Sequence, residues 1–198
     1  MSEKFQDIYR IPSARAAWWD YRNDAAYFVT ICTAGREHYF GEIRDEIMYL
    51  SEMGKFAHEN WHEMPDHCPF VKLDSFVVMP NHLHGILVID NLVDFDCRDD
   101  VGRDAINRVS TCEQSEPPEK IGGITGENNP MLFDNLSRAI RWYKGKTTFK
   151  CHSLHADFGW QTRFHDHIIR DEESWKNIQE YILNNPARWD KDKYIQPE

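Results

Sequence analysis

The sequence lacks any apolar run long enough to cross a bilayer, and its first twenty residues lack the apolar core of an export signal. Its five cysteines are scattered, odd in number and without a CxxC pair, which argues against a disulfide framework and against a zinc finger. These absences predict a protein of the reducing cytoplasm that has no membrane partner.

The sequence also lacks the net positive charge that is typical of nucleic-acid-binding proteins, since its formal charge is -10. The charge is unevenly distributed along the chain. Residues 90–129 contain ten acidic residues and four basic ones, whereas residues 136–170 contain seven basic residues and two acidic ones. A basic stretch is by itself more typical of a solvated helix face, so the average charge does not decide whether the partner is a nucleic acid.

What the sequence does contain is the composition of a globular domain, with 41% hydrophobic and 13% aromatic residues among 198. Hydrophobic periodicity predicts four strands, at Tyr27–Thr33, Leu73–Met79, His82–Ile89 and Arg163–Ile169. It also predicts three helices, from the N-cap Ser51 to about Met64, at Leu132–Lys150 and at Asp171–Asn184.

The order of these elements predicts an α+β fold, with a ferredoxin-like antiparallel sheet, helices on one face and an additional C-terminal helix. Pro80-Asn81 joins two of the strands in a hairpin. Residues 90–130 are rich in Asp, Glu, Gly and Pro and show no sustained periodicity, which predicts an acidic exposed insertion.

The sharpest local feature is the pair His82 and His84 on a predicted strand. Side chains alternate between the faces of a strand, so both imidazoles lie on one face while Leu83 points to the other. Two neutral imidazoles placed in this way can supply half of a divalent-metal site. The pattern is weak by itself, because most such pairs bind no metal and because His165 and His167 repeat the spacing.

Tyr181 and Asn185 form a second feature, near the end of the last predicted helix. Their spacing of four residues places them on one face of the helix, one turn apart. A tyrosine in such a helix usually packs in the core, and an asparagine before Pro186 usually ends the helix. Neither residue carries a functional argument alone.

Three strings in this order resemble the REP-associated tyrosine transposases, relatives of the smallest insertion-sequence transposases within the His-hydrophobe-His nuclease superfamily. They are YFVTICTAGREHYFGEI (27–43), FVVMPNHLHGILVI (76–89) and WQTRFHDHIIRDEESWKNIQEYILNNP (160–186). The resemblance runs over residues 21–189, so it implies one transposase domain interrupted by the acidic segment. It also implies that the histidine pair lies on a central strand that faces the helix carrying the nucleophile.

By position in those strings, the resemblance implies roles for four residues. His82, His84 and Asn185 match the metal ligands, and Tyr181 matches the nucleophile. The insertion-sequence relatives commonly have glutamine at the position of Asn185. Asparagine is shorter, and the neighbouring Asn184 is an alternative third ligand.

The implied reaction is a metal-dependent cleavage of single-stranded DNA next to a hairpin, such as a repetitive extragenic palindrome. A tyrosine hydroxyl with a pKa of about 10 is a poor nucleophile at neutral pH, so Mg²⁺ or Mn²⁺ is implied as the group that polarises the scissile phosphate. Attack by Tyr181 would give a covalent 5′-phosphotyrosine and free a 3′-hydroxyl. Tyr143, in the basic string RWYKGK, is a rival nucleophile without a metal-ligand partner one turn away.

The candidate DNA contacts lie in the basic stretch and are Arg138, Arg141, Lys144 and Lys146. Trp142 and Trp160 are candidate platforms on which bases stack, although tryptophan is more often a core residue. We expect a cytoplasmic, nucleoid-associated enzyme that binds single-stranded or hairpin DNA. Related enzymes exchange their tyrosine helices between subunits, so a homodimer is a further expectation to test.

Two other functions stay open at the level of the sequence. A ferredoxin-like sheet is a common nucleic-acid platform, so a domesticated chain could bind DNA or RNA hairpins without cutting them. A metal hydrolase that activates water would need a general base, for which Glu180 is the obvious candidate. A covalent protein–DNA adduct would distinguish the tyrosine enzyme from both.

Overall fold

The computed structural model describes residues 23–91 and 134–191, which form a four-stranded antiparallel sheet with helices on both faces and a small separate hairpin. The strands are Ala25–Cys32 (β1), Gly41–Arg44 (β2), Ile47–Leu50 (β3), Val71–Met79 (β4), His82–Ile89 (β5) and His165–Ile169 (β6). The helices are Glu52–His62 (α1), Met64–His67 (α2), Leu136–Cys151 (α3) and Glu172–Leu183 (α4), with 3-10 helices at Ala34–Arg36 and Pro186–Lys191. The predicted insertion from residue 92 onward, and residues 21 and 22 of the predicted domain, lie outside the described residues.

The main sheet has the strand order β4-β5-β1-β6, and every neighbouring pair in it is antiparallel. Across the sheet lie the second, third, first and fourth of its strands in chain order, which is the ferredoxin-like arrangement. The predicted α+β fold class is therefore confirmed. Because β5 and β1 are the central strands, the sheet brings the predicted histidine pair to its middle rather than to an edge.

One face of the sheet is covered by α1, α2 and α3, which form the main core with the strands. Trp61 and Tyr143 are fully buried there, and their rings meet edge to face with centroids 5.4 Å apart. Ser51 is the N-cap of α1, as predicted, because its hydroxyl accepts a hydrogen bond from the Gly54 N–H. Pro65 lies in the first turn of α2, where the missing proline N–H would have no helical partner in any case.

The other face of the sheet is covered in part by α4. Its N-cap Asp171 accepts a hydrogen bond from the Ser174 N–H. The side chains that α4 packs in a second core cluster are the ones that the helical periodicity predicts, namely Trp175, Ile178, Tyr181 and Ile182. The predicted C-terminal helix is thus present, on the sheet face opposite α1 and α3.

A β-bulge in β4 helps to hold α4 in place. The irregularity falls between Leu73 and Phe76, where β4 has one more residue than the facing part of β5. Asp74 lies in this bulge, and its carboxylate accepts a hydrogen bond of 2.7 Å from the side-chain amide of Gln179. The bulge therefore ties α4 to the sheet two residues before Tyr181.

The hairpin of β2 and β3 was not predicted from the sequence. Its two-residue turn consists of Asp45 and Glu46, and both have positive φ angles, of 49° and 65°. The preferred pairs in such turns are Asn, Asp or Gly followed by Gly, and Glu46 occupies the position of the expected glycine. The sequence therefore lacks the pair that usually predicts a hairpin.

Within residues 23–91 and 134–191, no helix is both long and apolar enough to span a bilayer. Cys32, Cys68 and Cys151 are buried and form no disulfide with one another, and the other two cysteines lie outside the described residues.

Candidate active site

The histidine pair lies at the start of the central strand β5. His84 is opposite Thr30 of β1, and His82 is opposite Cys32. Both imidazoles are on the sheet face that carries α4, and their exposed fractions are 0% for His82 and 1% for His84. The predicted same-face arrangement is therefore observed, in a buried position.

The ring nitrogens of the two histidines follow a common pattern. His82 Nδ1 lies 2.8 Å from Asn81 Oδ1, and His84 Nδ1 lies 2.9 Å from the hydroxyl oxygen of Thr30. The two Nε2 atoms lie 3.1 Å from each other. Each imidazole thus has a polar partner at Nδ1 and directs Nε2 towards the other.

Tyr181 of α4 reaches this pair from the side of the helix. Its hydroxyl lies 3.3 Å from His84 Nε2, and its ring meets that of His84 with centroids 5.3 Å apart. Phe28 of β1 packs against both, stacked on His84 at 5.2 Å and edge to face with Tyr181 at 6.0 Å. The predicted nucleophile and the predicted metal-binding pair are therefore in direct contact.

Asn185 follows α4, which ends at Leu183 with Asn184 as its C-cap. It is only 3% exposed, and its side-chain oxygen is buried without a hydrogen-bond partner among the residues described. Trp189, in the following 3-10 helix, stacks on His82 with centroids 6.0 Å apart. Tyr181 contacts His84 before Asn185 in the chain, and Trp189 contacts His82 after it, so Asn185 lies between two contacts with the histidine pair.

The donor set fits a divalent cation. Two nitrogens bound at about 2.1 Å and at a right angle around one cation lie about 3.0 Å apart, close to the observed separation of the Nε2 atoms. The buried amide oxygen of Asn185 is an orphaned acceptor of the kind that a cation would satisfy. In the described ranges no group of three or more His, Cys, Asp and Glu side chains is placed to hold a metal, so a third protein ligand would have to be an oxygen of another kind, such as the Asn185 amide.

Comparison of the sequence with known proteins identifies a relative of nearly the same length. An uncharacterized protein of Haemophilus influenzae is 33% identical over 187 residues, which cover 94% of this chain and 93% of that protein. The chain belongs to the family of this protein. A comparison with the profiles of known protein families found no match.

The chain has the fold of a tyrosine transposase. The solved structure of a REP-associated tyrosine transposase bound to a REP hairpin matches 91% of this chain and 76% of its own, with 17% identity and a TM-score of 0.53. The resemblance indicated by the three sequence strings is therefore confirmed at the level of the fold. A structure from Deinococcus radiodurans matches 86% of this chain and 95% of its own, with 12% identity and a TM-score of 0.41.

Tyr143, the rival candidate for the nucleophile in this chain, is a core residue. It is fully buried, its hydroxyl donates a hydrogen bond of 3.0 Å to the Ala57 carbonyl, and burial raises its pKa well above the ordinary value. A tyrosine in this position can neither reach a DNA strand nor ionise readily. The geometry therefore favours Tyr181.

The four candidate DNA contacts do not form one groove. Lys146 makes an ion pair with Glu63, on the side of α3 that faces α1 and α2. Arg138 makes an exposed ion pair with Asp134, one turn before it in the chain. These two side chains are therefore already engaged with carboxylates of the chain itself.

Arg141 and Lys144 line a different part of α3, a shallow groove of about 470 Å³ that also contains Phe164. Lys144 Nζ donates a hydrogen bond of 2.6 Å to the Gln161 carbonyl, and burial lowers the pKa of Lys144 to about 8. The cations of this groove face the segment that leads into the edge strand β6. Arg141 and Lys144 are thus the two of the four candidate contacts that share a groove.

The two candidate stacking tryptophans differ in their surroundings. Trp160 packs against the main core and against a smaller cluster around Phe40 and Phe158 on the same face of the sheet. Its Nε1 donates a hydrogen bond to the Lys144 carbonyl. Trp142 is partly buried, stacks on His67 at 4.6 Å and has Lys146 Nζ 4.9 Å from its ring centroid. Both indoles are thus engaged with the protein itself.

Four residues that shape the site have no functional signal in the sequence, namely Phe28, Thr30, Asn81 and Trp189. Asn81 is adjacent to His82, but the sequence indicates only a turn there. The other three contact the pair from distant parts of the chain, so no local pattern announces them.

Proposed function

We propose that the chain is a metal-dependent single-stranded DNA endonuclease and strand transferase that acts at DNA hairpins through a covalent bond between Tyr181 and a 5′ phosphate. The observation that carries this proposal is the 3.3 Å contact between the Tyr181 hydroxyl and His84 Nε2. It joins a nucleophile that is partly accessible to solvent to a buried imidazole pair with metal-ligand spacing. Few structural roles require a tyrosine hydroxyl at that point.

The residues that would hold Mg²⁺ or Mn²⁺ are His82, His84 and Asn185. When bound, the cation would supply positive charge at the scissile phosphate and so stabilise the charge that develops during transfer. The protein's own contribution is to hold these three donors and to exclude water from most of the pocket. Trp189 stacked on His82 and Phe28 stacked on His84 orient the two imidazoles and shield them from solvent.

Tyr181 performs the covalent step. Its hydroxyl oxygen forms a bond to the phosphorus, and the bond from phosphorus to the 3′ oxygen of the neighbouring nucleotide breaks. The phenol loses one proton and the departing 3′-hydroxyl gains one, so no external reductant or nucleotide is needed. Attack of another 3′-hydroxyl on the phosphotyrosine reverses these changes and joins the strands.

The proposed substrate is single-stranded DNA beside a hairpin. The transposase of the same fold is bound to a REP hairpin, which supports a hairpin as the DNA element recognised by this chain. Arg141 and Lys144 offer cations to the backbone, and Phe164 in the same groove offers a ring to a splayed base. Phosphate binding in this groove is local, so the overall charge of -10 does not prevent it.

A water-activating hydrolase is supported less well by the site. Glu180, its candidate general base, is exposed on α4, whereas Tyr181 contacts the imidazoles directly. A non-catalytic hairpin-binding module would need none of the contacts among Tyr181, His82 and His84. The single-tyrosine enzyme accounts for all of them.

Tyr181→Phe is the first test of the proposal. The substitution removes one oxygen and preserves the ring that packs on Phe28, so we expect the fold and hairpin binding to survive and cleavage to be lost. Wild-type protein incubated with labelled hairpin DNA, a single-stranded flank and Mn²⁺ should give a denaturation-resistant adduct on the 5′-phosphate side. Mass spectrometry should map it to the peptide that contains Tyr181.

Tyr143→Phe is the matched control, because it removes the hydroxyl of the rival tyrosine. It should form the adduct once its folded fraction is taken into account. DNA cleavage without any adduct would support the hydrolase instead. Hairpin binding by the wild type without cleavage, in Mn²⁺ and in Mg²⁺, would support the binding module.

A further inference from the structure

The two histidines share a feature that metal ligation alone does not explain. Each has a buried oxygen next to Nδ1, Asn81 Oδ1 for His82 and the Thr30 hydroxyl for His84. Asn81 is 0% exposed and Thr30 is 3% exposed, so bulk water does not compete for these hydrogen bonds. The oxygen therefore has a strong influence on which ring nitrogen carries the proton.

Asn81 is held in place by its backbone. It is the second residue of the two-residue connection between β4 and β5, and its carbonyl accepts hydrogen bonds of 2.9 Å from both the N–H and the hydroxyl of Thr33. A side chain fixed in this way presents its oxygen to His82 Nδ1 at 2.8 Å. A carbonyl oxygen can only accept, so a hydrogen bond at this contact requires the proton of His82 to be on Nδ1.

We propose that Asn81 is a positioning residue that fixes the tautomer of His82, with Thr30 doing the same for His84, so that both Nε2 lone pairs point at one site. A hydroxyl can donate or accept, and next to a histidine that directs Nε2 inwards the Thr30 oxygen accepts from Nδ1–H. In neutral imidazoles arranged in this way two lone pairs face each other across 3.1 Å. In the metal-free protein the Tyr181 hydroxyl, 3.3 Å from His84 Nε2, can donate to one of these lone pairs, and a cation between the two Nε2 atoms would satisfy both.

This inference rests on the proposed function only in its last step, the identification of the cation as the catalytic metal. The tautomer itself is a property of the metal-free protein. Partners of this kind raise the affinity of metal sites, and their loss typically weakens binding by about 10- to 100-fold. The tautomer and the metal affinity can therefore be measured separately.

The experiment compares variants that remove the acceptor with variants that keep it. Asn81→Leu removes the amide at similar volume, whereas Asn81→Asp keeps an oxygen at the same place. Thr30→Val and Thr30→Ser form the corresponding pair for His84. Thermal unfolding of each metal-free variant identifies those that remain folded and are suitable for comparison.

The first measurement is the ¹⁵N chemical shift of each imidazole nitrogen in metal-free protein, at a pH where the rings are neutral. We expect Nδ1–H for both histidines in the wild type, in Asn81→Asp and in Thr30→Ser. Asn81→Leu should move His82, and Thr30→Val should move His84, towards the Nε2–H form. An Nε2–H His82 in the wild type, or an unchanged tautomer in Asn81→Leu, would overturn the inference.

The second measurement is a Mn²⁺ titration followed by calorimetry or electron paramagnetic resonance, without DNA. Asn81→Leu should bind Mn²⁺ about 10- to 100-fold more weakly, and Asn81→Asp at least as tightly as the wild type. Equal affinity in Asn81→Leu would show that the tautomer does not matter for the metal and would overturn the positioning role. If the wild type has the expected tautomers but binds no Mn²⁺, the tautomer assignment stands and the metal in the proposed function fails.

Discussion

Two strands of this sheet each contain a pair of histidines two residues apart, and the two pairs differ in their exposure to solvent. His82 and His84 lie on the central strand β5, and His165 and His167 lie on the edge strand β6. The register pairs Thr30 with both His84 and His165, so the two pairs are on one face of the sheet. The first pair is buried under α4 and its continuation, whereas the second is exposed to solvent.

The comparison shows that position in the sheet, and not spacing along the chain, separates the two pairs. On β5 a helix lies above the imidazoles, and neighbouring strands supply oxygen partners such as Thr30. On β6 the solvent competes for each ring nitrogen, so fixed orientation would have to come from elsewhere. A candidate metal site therefore needs a central strand with a covering element as well as two histidines.

The largest expected effect comes from removing each pair in turn. His82→Ala with His84→Ala should reduce cleavage by at least about a thousandfold, because the metal contributes several kcal/mol to phosphate activation. His165→Ala with His167→Ala should leave cleavage within about threefold of the wild type, since exposed side chains on an edge strand hold no fixed ligand geometry. Single-turnover cleavage of labelled hairpin DNA at saturating protein is the measurement.

Hairpin binding by both double variants provides the control for folding. A comparable loss of cleavage in the β6 variant would contradict the distinction drawn from burial. Full cleavage by the β5 variant, or by the wild type in excess EDTA, would exclude the metal site altogether.

A smaller effect is expected on stability, because β5 is also packed on its second face. Gly85 lies under Trp61, and a Cβ at that position would be 2.4 Å from Trp61 Cζ2. Trp61 is fully buried and stacked on Phe76 with centroids 4.4 Å apart, so it has little room to move. Gly85→Ala should lower the free energy of unfolding by about 1–3 kcal/mol.

Gly145→Ala is the matched control, since a Cβ at that position of α3 meets no atom within 4 Å. It should raise the free energy of unfolding by about 0.5–1 kcal/mol, because alanine favours a helix more than glycine does. Urea unfolding with an unchanged m-value measures both. Equal changes in the two variants would show that the second face of β5 is not tightly packed.

The smallest expected effect is a change in the salt dependence of DNA binding when cations of the groove beside β6 are removed. Arg141 and Lys144 line the groove next to the segment entering β6, whereas Lys146 is paired with Glu63. Arg141→Ala with Lys144→Ala should reduce the salt dependence of hairpin binding by up to about one unit of slope per lost phosphate contact. Lys146→Ala should leave the slope unchanged.

Fluorescence anisotropy across a series of salt concentrations measures these slopes. A reduced slope in Lys146→Ala and an unchanged slope in the double variant would move the DNA contacts to the other side of α3. The homodimer expected from related enzymes can be checked on the same samples by sedimentation.

The sequence was sufficient to predict the framework of the site. Acidic residues at the start of α4, together with the helical spacing of Trp175, Ile178 and Tyr181, predict both the helix and the face that it buries. Alternation in the strand that begins at His82 predicts the shared face of the imidazoles. These signals are local, and each is repeated along its own element.

What could not be predicted depends on register and on exceptions to local rules. Thr30 meets His84 across 54 residues of chain, and only the pairing of β1 with β5 brings them together. The turn at Asp45 and Glu46 has a positive φ angle at a glutamate, where glycine is the usual residue. By contrast, the placement of Lys144 and Lys146 on different sides of α3 follows from local geometry, because residues two apart lie on nearly opposite sides of a helix.

The bulge in β4 has a consequence for the aim of the nucleophile. Successive residues of a helix are turned by about 100° around its axis, so fixing the direction of one side chain fixes the direction of its neighbours. The hydrogen bond from Gln179 to Asp74 fixes the direction of one such side chain, and it joins positions 105 residues apart. Together with the packing of Trp175, Ile178 and Ile182 on the sheet, this hydrogen bond fixes the angular phase of α4 and the line along which Tyr181 points, although its acceptor lies in a strand that contributes no chemistry of its own.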